Sequence, residues 1–134
     1  MELLLYAVVK FVAYSLWGYV GFRVVNLQPT AGKSVRFGIA RWLLGVGFGV
    51  LVFLLAGSVN RDQIFFLYLS IYIPVRIVEW TIMPVVFFWT SAKKWQLPVI
   101  YLWIAGGVLL SFLTDFVSPD MLNEGRFCVG RCLC

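Results

Sequence analysis

The sequence predicts an all-α, polytopic membrane protein folded as an up-down bundle of four transmembrane helices, and three observations carry that expectation. Of 134 residues, 62% are hydrophobic and 13% charged, with a mean hydropathy of +0.92, outside the range of soluble domains. The apolar residues gather into four segments, each near the length of about 20 residues that a bilayer requires. The connections between them are short, which makes consecutive helices antiparallel neighbours.

The first span is read as Leu3–Val25; its leading end carries Glu2 and no basic residue, and its apolar stretch is too long for the core of a cleaved signal, so it is expected to stay as a span. The linker from Asn26 to Arg36, with Pro29, Gly32 and Ser34, reads as an exposed loop before a second span at Phe37–Val59. Asn60, Arg61, Asp62 and Gln63 make a tight connection in which Asn60 or Asp62 can cap the third span, Ile64–Thr90. Pro74 and Pro84 interrupt the hydrogen bonding of that span at the carbonyls of Ser70 and Trp80. Residues 91–96 lead to the fourth span, Leu97–Phe116, where Pro98 falls in the first turn and its missing N–H is tolerated. The membrane domain is therefore residues 1–116, followed by a short cysteine-containing tail, 117–134. Ser118 and Pro119 in that tail suggest a short helix ending near Gly125.

Absences narrow the chemistry. With no histidine, the chain lacks the usual haem ligand, the commonest metal ligand and the most frequent general base, so no cofactor and no metal are expected. The net charge of +5 reads as a topology signal and not as a nucleic-acid surface. Thr30-Ala-Gly-Lys-Ser34 looks like the end of a phosphate-binding loop, but Leu27 stands where the motif needs glycine, and Lys33 is read as a topology charge. Arg23, Lys33, Arg36, Arg41, Lys93 and Lys94 flank the first and third connections against Arg61, Arg126 and Arg131 on the other side. The positive-inside rule then puts both termini outside the cytoplasm of a bacterial inner membrane or a plasma membrane, with Trp42 and Trp95 as cytoplasmic interfacial anchors.

Arg76 and Glu79 lie near the middle of the third span and three residues apart, hence on one helical face. Ionisable groups at membrane depth persist when paired, facing a cavity or meeting a ligand, which makes this pair the leading site candidate. Tyr72, Arg76, Glu79 and Met83 form one stripe expected to face protein. In the first span Tyr6, Lys10, Tyr14 and Gly18 form another, and Lys10 is expected within reach of Glu79. The membrane interior would then hold one acid against two bases. The ligand-binding candidates are Lys10, Tyr14, Tyr72, Arg76 and Glu79, with no catalytic residue assigned.

Gly18, Gly45 and Gly49 are expected at helix contacts, because small residues let helices approach. Gly106 and Gly107 offer the fourth span a similar thin surface, and most aromatic residues are expected at the lipid face and interface. In the tail, Cys128, Cys132 and Cys134 are disulfide candidates if the compartment is oxidising. The expected function is a small accessory or binding subunit of a membrane assembly, non-enzymatic, with membrane lipids, a protein partner or a second copy as partners. The rival reading is an anionic lipid or anion binder, transporter or small membrane enzyme using the intramembrane lysine, arginine and glutamate. A copurifying protein or a copurifying lipid separates the two.

Overall fold

A computed structural model describes residues 2–24, 27–28, 30–56, 64–88 and 97–118. They form four helices, α1 (Glu2–Val24), α2 (Ala31–Ala56), α3 (Ile64–Phe88) and α4 (Leu97–Asp115), each long and apolar enough to cross a membrane, with no strand among the described residues. This is the build of an integral membrane protein. In α1 to α4 each helix packs beside its sequence neighbours and α4 closes back onto α1, the arrangement of an up-down bundle.

The beginning of α2 corrects the sequence reading. Residues 31–36, expected in a loop, are its opening turns, because Thr30 caps them: its Oγ1 accepts from the Lys33 N–H at 3.3 Å and its carbonyl from the Ser34 N–H at 3.1 Å. The string that looked like a phosphate loop is thus a helix start. A helix beginning at Ala31 carries Arg41 about 15 Å along its axis, farther from the helix start than a span beginning at Phe37 implies.

Helix α3 runs unbroken through Pro74 and Pro84 for 25 residues, about 37 Å, whereas α4 has only 19, about 28 Å. The shorter α4 ends at Asp115 beside the interior of α1, so its last turn lies among core side chains. A turn closes it, with the Ser118 N–H donating to the Asp115 carbonyl at 3.1 Å.

The core is aromatic, which corrects the expectation of mostly lipid-facing rings. Tyr14, Phe22, Phe37, Trp80, Phe88 and Trp103 are buried together, while Leu4, Leu54, Val86, Leu102 and Leu109 are among the exposed residues. Lipid tails solvate aliphatic chains as well as a core does, so packing geometry, not hydrophobicity, selects what goes inside. Edge-to-face pairs supply it: Phe22 with Phe88 at 4.8 Å and Trp80 with Trp103 at 5.4 Å between centroids. Two glycines make room, as a β-carbon on Gly18 would strike the Phe37 ring and one on Gly107 the indole of Trp80. The tail helix expected to end near Gly125 and the three cysteines fall outside the described residues.

Candidate functional site

Every helix contributes a charge to one buried network. Lys10 comes from α1, Arg41 from α2, Arg76 and Glu79 from α3, and Asp115 from the end of α4; none is more than 4% exposed. At such depth an isolated charge is costly, so each must be explained by its neighbours.

Glu79 is held by two arginines. Its Oε2 accepts from Arg41 Nη2 at 2.5 Å and from Arg76 Nη1 at 3.2 Å, the second an i,i+3 pair within α3. Arg76 bridges onward, its Nη2 reaching Asp115 Oδ2 at 3.2 Å. The other oxygen of Asp115 takes Lys10 Nζ at 2.7 Å and the Tyr6 hydroxyl at 2.8 Å. The negative end of a helix dipole disfavours a carboxylate, and Asp115 is the last residue of α4; three donors offset that penalty. The chain of contacts alternates in sign across the bundle: Lys10, Asp115, Arg76, Glu79, Arg41.

Neutral groups fix the geometry. One turn before Asp115, Ser111 Oγ accepts from Trp80 Nε1 at 2.9 Å and from Arg41 Nη2 at 3.4 Å. Each cation also lies near a ring face, Lys10 at 4.4 Å from Tyr6, Arg41 at 4.9 Å from both Tyr14 and Trp80, and Arg76 at 5.8 Å from Tyr72. The aromatic core is therefore also the wall of the charged site.

The two stripes read from sequence are both buried, from Tyr6 to Gly18 and from Tyr72 to Met83. Tyr14 and Tyr72 flank arginines, Gly45 lies against the guanidinium groups of Arg41 and Arg76, and Gly49 is buried one turn beyond. Three expectations are corrected. Lys10 pairs with Asp115, not with Glu79; Glu79 is taken up by Arg41, which was counted as a topology charge flanking the first connection. The acid count is two and not one, because Asp115, near the end of the fourth span, belongs to the core. Arg41, Ser111, Trp80 and Asp115 were thus missing from the candidate set.

Among the described core side chains three cations meet two carboxylates. Arg41 is the under-used member. Its Nη2 serves both Glu79 and Ser111, while its Nε and Nη1 have no hydrogen-bond partner, and the neighbouring Tyr14 hydroxyl has none either. Arg41 thus keeps two buried donor nitrogens on different edges of its guanidinium without a hydrogen-bond partner. Among the described residues no group of His, Cys, Asp and Glu comes together to hold a metal. Comparison with protein-family models, curated proteins and solved structures finds no match to this chain.

Proposed function

We propose that this protein binds an anionic group, a phosphate or a carboxylate, inside its helix bundle, with Arg41 as the principal recognition residue. The observation that carries this is the wholly buried Arg41 guanidinium with Nε and Nη1 unpartnered. Unmet donors at such depth cost about 1–3 kcal/mol each, and an anionic oxygen would recover that loss. Tyr14, whose unpartnered hydroxyl belongs to a ring 4.9 Å from the same guanidinium, is a second donor to the guest. Lys10, Arg76, Glu79 and Asp115 hold the arginine in place and keep the local charge positive by one among the described groups. In the bilayer the abundant carriers of such groups are lipid headgroups, so the function is lipid or anion binding, with transport or chemistry on the bound lipid as its possible outcome. We further place both termini outside the cytoplasm, on the basic residues of the first and third connections.

Native mass spectrometry of the full chain released from mild detergent tests the reading. The wild-type protein should carry one phospholipid or polyprenyl phosphate per chain, and Arg41→Lys, which keeps the charge but loses the Nε and Nη1 donors, should carry none. A stoichiometric protein partner with no bound lipid in either form would replace this reading with that of an accessory subunit.

A further inference from the structure

We infer that Arg23, Lys33 and Arg36, at the end of the bundle where α1 gives way to α2, form a docking surface for the headgroups of anionic phospholipids. This surface stands apart from the core site and uses none of its residues. The distribution of charge on the two helices leads to it. From residue 3 to residue 61 the sequence has no aspartate or glutamate, yet α1 and α2 carry five cations, Lys10, Arg23, Lys33, Arg36 and Arg41. The two that lie deep are matched from the other half of the bundle, Lys10 by Asp115 of α4 and Arg41 by Glu79 of α3. Arg23, Lys33 and Arg36 are exposed and form no ion pair among the described residues. Three like charges gathered on one surface draw their counter-anions from outside the chain.

Local structure brings the three together. Helix α1 ends one residue after Arg23, where the Leu27 N–H donates to the Phe22 carbonyl at 3.0 Å. Because Thr30 caps α2, Lys33 and Arg36 stand on a helix, three residues apart and so on one face, both exposed while Ser34, Phe37 and Gly38 are buried. Phe22 and Phe37, the sequence neighbours of Arg23 and Arg36, meet edge to face at 6.3 Å between centroids, which sets the two arginines at one level of the bundle. Depth then favours lipid over protein as the partner. At 26 residues α2 is about 39 Å long, against about 30 Å of hydrocarbon and 40–45 Å of whole bilayer, so its ends lie in the headgroup layers. Lys33 and Arg36 stand about 3 Å and 8 Å from the start of α2, and their long side chains reach outward to the phosphates. An acidic protein segment would have to displace headgroups to reach them. A zwitterionic lipid brings its own cation with its phosphate, so the surface prefers a lipid of net negative charge.

The test places the full chain in phosphatidylcholine bilayers with a trace of spin-labelled phosphatidylglycerol or spin-labelled phosphatidylcholine. Electron paramagnetic resonance reads the fraction of label immobilised at the protein. The wild type should hold phosphatidylglycerol at least about threefold more strongly than phosphatidylcholine at low salt. Sodium chloride at about 1 M, which shortens the Debye length to about 3 Å, should reduce that preference. The triple variant Arg23→Gln, Lys33→Gln, Arg36→Gln should lose at least about half of it, while Arg41→Lys, which leaves the surface untouched, should keep it. A wild type without the preference refutes the surface and points to an acidic protein segment as the partner of these cations; a triple variant with the full preference refutes it as well. Should the triple variant fail to fold, the wild type decides through phosphatidylglycerol bearing a photoreactive diazirine in its headgroup. Crosslinks within residues 23–36 support the surface, and crosslinks confined to the opposite ends of α1 and α2 refute it. A lipid held by exposed charges alone exchanges with its neighbours and is lost in detergent, so this result is separate from a lipid retained by the core site.

Discussion

Arg41 and Glu79 hold each other at a depth where neither is stable alone, and the energetics of the site turn on that pair. Removing Glu79 as a carboxylate strips Arg41 of its only described acidic partner, while Arg76 keeps Asp115. Glu79→Gln should therefore destabilise the protein by about 3–5 kcal/mol, the usual effect of leaving a buried charge uncompensated. The double variant Arg41→Gln, Glu79→Gln removes both partners and should be more stable than Glu79→Gln alone. Thermal unfolding in detergent orders the variants, and a double variant less stable than the single one would mean that Arg41 has another anchor. Arg76 and Glu79 were legible in the sequence because they stand mid-span, where any ionisable residue is conspicuous. Arg41 and Asp115 were not, because each lies near the end of an apolar run, and hydropathy alone cannot tell a loop charge from one drawn inward by a partner on another helix. A trace did exist: Lys10 and Arg76 outnumbered the visible acid, and Asp115 was the next carboxylate at the edge of a span.

At the scale of the helices, the number and order of the spans followed from hydropathy, while the start of α2 did not. Lys33 and Arg36 look like loop residues, and only the hydroxyl of Thr30 marks where the helix begins. Which helix faces meet was legible in part, since the tyrosine and charge stripes of α1 and α3 both point inward. The aromatic interior was not, because pairing between rings on different helices leaves no periodic signal on either one. That interior makes a contrasting pair of glycine predictions. Gly107→Ala drives a carbon into the Trp80 indole, which must shift and strain its bond to Ser111, and should cost about 1–3 kcal/mol. Gly47→Ala meets open space and should be neutral or stabilising by up to about 1 kcal/mol. Unfolding midpoints of the two variants check this, and equal midpoints would show that Gly107 and Trp80 are not in close packing.

For the whole molecule, relocating Arg41 changes the reckoning of orientation. With it withdrawn into the core, the flanking charges are Arg23, Lys33, Arg36, Lys93 and Lys94 against Arg61, Arg126 and Arg131, five to three instead of six to three. The direction of the bias is unchanged, so Cys128, Cys132 and Cys134 should react with an impermeant thiol reagent on reduced intact cells; labelling only after lysis would reverse the topology. Four helices that each supply a charge are tied together by a network none of them could hold separately. Solid-state NMR on protein with carbon-13 in its arginine guanidinium groups, embedded in phospholipid vesicles, reads the proximity of those carbons to lipid phosphorus-31. The exposed Arg23 and Arg36 will meet headgroups at the surface in any case, and Arg41→Lys leaves them untouched. A component of the carbon–phosphorus dephasing present in the wild type should disappear in Arg41→Lys while the surface component persists. Identical dephasing in the two proteins would contradict the presence of a phosphate at the core arginine.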